Sequence, residues 1–219
     1  MFPVSDVIPS RTTPFVTVGL IALNALVFLY ELLLPRADLQ LFTFIYGVVP
    51  ARFDPVTLLT SMFIHGGWLH LLGNMLYLWI FGDNVEDRLG HAGFLIFYVA
   101  CGSAAALGQI AVSPDSTVPM VGASGAIAGV MGAYFVLYPH SRVLTIVFLL
   151  FFMDMVEIPA ILFLGFWFIK EVFSGVGSLG AASLNGGVAV WAHVAGFATG
   201  AIVGLFRRLG EAAERYRWN

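Results

Sequence analysis

Apolar residues run along this chain in long blocks, not in alternation with polar ones. Phe15 to Leu34, about Leu58 to Phe81, about Phe94 to Val112, about Val121 to Tyr138 and about Val188 to Phe206 each read as a membrane-crossing helix, for which about 17–25 residues are needed. Pro35 ends the first block. That block exceeds the roughly 7–15 residues of a signal-peptide core, and no small-residue cleavage site follows it, so it reads as a retained helix. The stretch Val143 to Phe173 is apolar but interrupted by Asp154, Glu157 and Pro159. Its first part, about 11 residues, is too short to span. The pattern therefore predicts one span over about Val156 to Phe173 and an interfacial or partly re-entrant segment over Val143 to Met153. The expected fold class is all-α: a polytopic membrane bundle of six transmembrane helices over residues 15–206, with a short amino-terminal segment 1–14 and a basic tail 207–219.

Composition supports this reading. The 219 residues are 59% hydrophobic and 11% charged, against roughly 45–50% and about 25% in a soluble domain. Too few polar residues remain to cover a water-exposed surface. Disorder is excluded for the same reason, and a disulfide scaffold is excluded by the single Cys101. The net charge of −3 gives no basic footprint for nucleic acid. Six spans place both termini on one side. With the termini inside, Arg11, Arg88, Arg142, Arg207, Arg208, Arg215 and Arg217 are cytoplasmic, and only Arg36, Arg52 and Lys170 lie outside. The positive-inside rule favours that orientation. The lack of a targeting extension leads to the expectation of a prokaryotic plasma membrane.

Candidate chemistry sits where polar groups interrupt apolar helices, because such groups usually face the protein interior or a water-filled cavity. The second block carries His65, His70 and Asn74, the fourth opens with Ser124, and the last contains His193. His70 and Asn74 are four apart and share a helix face; His65 lies elsewhere on the turn and suits a supporting role. Blocks two, four and six run in the same direction, so these residues gather in one leaflet. Gly125, Gly129 and Gly132 in the fourth block and Gly196, Gly200 and Gly204 in the last permit close backbone approach. Aligning the first glycine of each set leaves Ser124 and His193 only about 3 Å apart in depth. That pairs a nucleophile with a general base. His70, Asn74 and the Ser124 backbone N–H are candidate oxyanion donors, and the flanking Gly122 and Gly125 allow a tight chain entry.

At these residues the chain resembles the rhomboid family of intramembrane serine proteases. The resemblance lies in His65-Gly-Gly-Trp-Leu-His70-Leu-Leu-Gly-Asn74, Gly122-Ala-Ser124-Gly125, Ala192-His193-Val-Ala-Gly196-Phe-Ala-Thr-Gly200 and Gly82-Asp-Asn-Val-Glu86-Asp-Arg88-Leu-Gly90. It covers about Leu58 to Phe206. It implies a catalytic dyad of Ser124 and His193, an oxyanion site of His70, Asn74 and the Ser124 backbone, and support from His65, Gly122, Gly125 and Gly196. Glu86 and Arg88 map to a cytoplasmic ion pair or hydrogen-bond hub. No cofactor or metal is implied. The implied partners are single-span or other transmembrane protein substrates in the lipid bilayer, entering between the second and fifth helices, with the loop before His193 as a cap. No Asp or Glu near the motifs is expected to orient His193. Two positions depart from the pattern. Ala128 stands where many members have an aromatic stacked on the histidine, and Val56-Thr57 stands where many have Trp-Arg.

Each residue has a plainer reading. Ser124 fits a small-residue helix contact, His70 and Asn74 fit a mutual hydrogen bond, and three histidines fit a metal, although no H-E-x-x-H helix is present. Trp167 and Trp191 read as packing or lipid-facing residues, and His91 and His140 as solvated. A non-proteolytic relative that binds membrane-protein clients, and a transporter, are the alternative functions. Both catalytic candidates are kept, against the first, and paired broken helices are missing, against the second. Oligomeric state and substrate identity leave no signature in the sequence.

Overall fold

The computed structural model describes residues 2–149, 152–178 and 189–217. The elements are β1 (Phe2–Asp6), α1 (Phe15–Leu33), α2 (Arg36–Tyr46), α3 (Thr57–Thr60), α4 (Trp68–Leu89), α5 (His91–Val112), α6 (Ser124–Leu137), β2 (Arg142–Leu149), β3 (Phe152–Pro159), α7 (Ala160–Ser178) and α8 (Val190–Arg217). The chain is mostly helical. α1, α5, α7 and α8 are long and apolar enough to cross a membrane, and α6 is a shorter apolar helix. This is an integral membrane protein.

The helices follow the apolar blocks, with shifted ends that have local causes. The second block is not one helix. A 3-10 turn at Ser61–Phe63 and an extended link precede α4, and Gly67, with φ 153°, takes a backbone conformation open to glycine. His65 therefore stands before the helix, not on it. Along α4, Leu71, Asn74, Leu78, Phe81 and Val85 are all buried, the spacing of a single core-facing stripe. α6 lies at the centre, with Gly125 through Tyr134 all buried. Its glycines meet α8 backbone to backbone. A Cβ on Gly196 would strike the Gly125 carbonyl oxygen, one on Gly200 that of Gly129, and one on Gly132 that of Phe197.

The all-α expectation is corrected by a three-stranded antiparallel sheet in the order β1-β2-β3. The segment Val143 to Met153, expected to be interfacial or re-entrant, falls on β2 and β3, with residues 150–151 outside those described. Residues Val156 to Pro159, expected to start the fifth span, end β3. The run Val143-Leu-Thr-Ile-Val is rich in β-branched side chains that suit a pleated surface. Val143 and Thr145, two apart, are fully buried, the alternation of a one-faced strand. Pro3 is accommodated because β1 is an edge strand.

The sheet and the α1–α4 junction close the same end of the bundle. Glu86 Oε1 accepts from the Val16 N–H at 3.0 Å, and Oε2 accepts from the Thr17 N–H at 2.8 Å and its hydroxyl at 2.7 Å. A carboxylate thus caps the start of α1, where unpaired N–H groups favour negative charge. His91 Nδ1 lies 2.6 Å from Glu86 Oε1, so His91 is engaged and not merely solvated, while His140 is exposed. Arg88 pairs with Glu211 of α8, with Nε to Oε1 at 2.9 Å, so Glu86 and Arg88 serve separate contacts.

β1 is tied to α6 by Asp6, whose Oδ2 accepts from the Tyr134 hydroxyl at 2.5 Å. Burial pushes the Asp6 carboxyl up to about 6. A carboxyl raised in the folded state binds its proton more tightly there than in the unfolded chain. Its contribution to stability is present at low pH and is lost as pH rises through about 6. Asp6→Asn is expected to melt higher relative to wild type at about pH 7.5 than at about pH 5. A melting difference that does not change with pH would refute this.

Candidate active site

Four segments converge at the end of the bundle opposite the sheet. Ser124 is the first residue of α6. The chain reaches it through a bridge between Val48 and Met120, paired by N–H to carbonyl bonds of 3.0 and 2.8 Å, and through the Gly122 N–H donating to the Ser61 carbonyl at 2.9 Å. Gly122 has φ 117°, where L side chains are strained. A Cβ there would also lie 2.6 Å from His70 Nε2.

His193 sits three residues into α8. Gln109 of α5 holds the start of that helix, its Oε1 accepting from the Trp191 N–H at 3.0 Å and the Ala192 N–H at 3.3 Å. The glycine contacts between α6 and α8 then set the lateral approach. The result is a hydrogen bond of 2.9 Å between His193 Nε2 and Ser124 Oγ.

His70 and Asn74 flank this pair from α4. His70 Nδ1 accepts from the Gly66 N–H at 3.3 Å, which leaves Nε2 as the protonated ring nitrogen, next to Gly122. Asn74 Nδ2 lies 3.0 Å from His65 Nε2, and His65 Nδ1 lies 3.3 Å from the Phe63 carbonyl oxygen. The consistent assignment has His65 donating from Nδ1 and accepting one Asn74 amide hydrogen at Nε2. The His65 and His70 rings meet edge-on with centroids 5.0 Å apart. A cleft beside Ser124 is lined by Val48, Met62, Met120, Gly102, Ala105 and Ala192, which suits a small apolar group.

Two carboxylates that the sequence reading did not single out, and Trp167, which it read as packing or lipid-facing, complete the site. Glu171 Oε2 lies 2.9 Å from His193 Nδ1, which corrects the expectation that no carboxylate orients this histidine. Glu31 of α1 accepts from the His65 backbone N–H at 3.2 and 3.3 Å. Trp167 of α7 lies against His193 with ring centroids 5.8 Å apart. Glu31 and Glu171 are both ionisable residues inside apolar helices, the default mark of a functional position in a membrane protein; that signal is present in the sequence. Trp167 carries none. The loop before His193, expected as a cap, lies outside the described residues.

The chain is 28% identical over 166 residues to Rhomboid protein 1, mitochondrial, of Saccharomyces cerevisiae, covering 74% of this chain and 44% of that protein. It is 42% identical over 76 residues to Rhomboid protease GluP of Bacillus subtilis, covering 35% and 14%. It is 30% identical over 136 residues to Presenilin-associated rhomboid-like protein, mitochondrial, of Homo sapiens, covering 60% and 35%. The chain spans less than half the length of these relatives. A family profile described as Rhomboid domain matches residues 52–209, a stretch that holds the serine, all the histidines of the site and the six glycines of the central helix contact, and the chain belongs to the Rhomboid family.

Proposed function

We propose that this protein is an intramembrane serine endopeptidase that cuts transmembrane-anchored proteins near the outer face of the membrane. The observation that carries the reading is the 2.9 Å contact of His193 Nε2 with Ser124 Oγ, at the amino ends of two helices packed through glycine. Ser124 Oγ attacks the scissile carbonyl carbon and its proton passes to His193 Nε2. Negative charge builds on the carbonyl oxygen and is met by His70 Nε2–H, the second Asn74 amide hydrogen and the Ser124 backbone N–H. The His193 imidazolium then protonates the leaving amine as the C–N bond breaks. Water attacks the acyl-enzyme, its proton returns to His193, and the new carboxyl end departs as Ser124 recovers its proton.

Six spans are proposed: α1, α4, α5, α6, α7 and α8, with both termini inside. The amino-terminal strand and the β2–β3 hairpin pack at one end of the bundle, in keeping with a shared cytoplasmic side. The 14-residue α6 is about 21 Å long, against about 30 Å of hydrocarbon. Ser124 is thereby recessed below the outer face, where water reaches it only through a cavity. A substrate helix must unwind to present a carbonyl there, since an intact helix keeps its carbonyls in its own hydrogen bonds.

The test is a single-span fluorescent reporter in proteoliposomes, with a fluorophosphonate probe on the same samples. Cleavage is expected, with the probe mapped by mass spectrometry to Ser124. Labelling at another serine, or none at all, would refute the assignment. Asn74→Ala removes one oxyanion donor and is expected to lower kcat by about 10²–10³ with KM little changed. A rate within a few-fold of wild type would remove Asn74 from the oxyanion site.

A further inference from the structure

We propose that Glu171 is the positioning residue for His193, so that Ser124, His193 and Glu171 act as a three-membered array; the inference rests on the protease reading above. Glu171 Oε2 lies 2.9 Å from His193 Nδ1, and the other ring nitrogen lies 2.9 Å from Ser124 Oγ. The three groups form one line across α7, α8 and α6. Glu171 is 5% exposed, and its second oxygen, Oε1, meets Lys170 Nζ at 3.0 Å. Both carboxylate oxygens therefore have partners, as a buried charge requires.

An ionised carboxylate only accepts hydrogen bonds. Facing Nδ1, it selects the tautomer with hydrogen on Nδ1 and leaves the Nε2 lone pair toward the serine hydroxyl. That is the tautomer a general base needs. When His193 takes the Ser124 proton, the imidazolium forms against a charge already in place, and no proton moves to Glu171. Trp167 lies one turn before Glu171 on the same face of α7 and packs on the His193 ring. α7 thus supplies both an anchor for Nδ1 and a wall for the ring. Among the described residues, few other polar groups surround His193. Lys170 is held by Glu171, Ser124 comes from α6, α5 presents the uncharged Gln109, and α4 presents the half-buried His70.

The test compares wild type, Ser124→Ala, Glu171→Gln and Glu171→Asp in proteoliposomes, by reporter cleavage and by the rate of fluorophosphonate labelling across pH. Glu171→Gln is expected to lower kcat by about tenfold or more, with KM within about twofold and labelling slowed in parallel. Its acidic limb of activity is expected to move to lower pH, because a neutral amide no longer favours the imidazolium. Glu171→Asp keeps the charge; it is expected to recover part of the rate and to hold the limb at the wild-type position. Wild-type rate and limb in Glu171→Gln would overturn the proposal. So would equal losses in both variants with an unmoved limb, which mark a structural role alone. If Glu171→Gln does not fold, the Glu171→Asp limb and labelling rate decide by the same criteria. Wild type that neither cleaves nor labels at Ser124 brings down the protease reading itself, an outcome distinct from active wild type with an indifferent Glu171.

Discussion

Ser124→Ala is expected to abolish reporter cleavage while leaving the melting temperature close to that of wild type. The side chain is half-buried and bonds to His193 Nε2, so its loss removes one hydroxyl and little packing. The reaction, by contrast, loses its nucleophile, a change on the order of 10⁴-fold or more in kcat. His193→Ala is expected to fall by a similar factor, because a serine hydroxyl near neutral pH is a weak nucleophile without a base. The double variant is expected to be no slower than either single one, since groups acting as a unit are not additive. Cleavage by Ser124→Ala above a few per cent of wild type, or additive losses in the double variant, would sink the dyad at the centre of this site.

Gly200→Val is expected to destabilise the protein and silence it together. A Cβ at this position lands on the Gly129 carbonyl oxygen and 2.7 Å from the Gly129 Cα. The obstacle is backbone inside a helix and has no rotamer through which to yield. Relief requires α6 and α8 to separate, at or beyond the upper end of the roughly 1–3 kcal/mol typical of overpacking. Ser124 and His193 stand at the head of this same interface, so separation also opens their 2.9 Å contact. The matched control is Gly19→Ala on the exposed face of α1, where an added Cβ meets nothing within 4 Å; there a small gain is expected from helix propensity. A wild-type melting temperature for Gly200→Val would show that the α6–α8 contact is looser than described.

What the sequence determined by itself follows from local physics. Apolar blocks of span length demand a membrane, and polar residues inside them demand a protein interior. Two glycine-spaced helices demand close approach, which placed Ser124 and His193 at one depth. These are properties of single helices, readable from spacing. Tertiary structure decided what depends on partners far along the chain. The apolar run after Ser141 is too short for its period to tell strand from helix. Its fate is set by pairing with residues 2–6 and 152–159, contacts with no local signature. Likewise Glu86 and Arg88, two apart in sequence, part company because one faces α1 and the other reaches α8. Glu171 was visible as a charge in an apolar helix. Its partner was not, because the rotation of α7 against α8 decides which group that carboxylate meets. That rotation is fixed by side-chain packing around Trp167, Phe168 and Phe197, a property of the assembled bundle and not of any one segment.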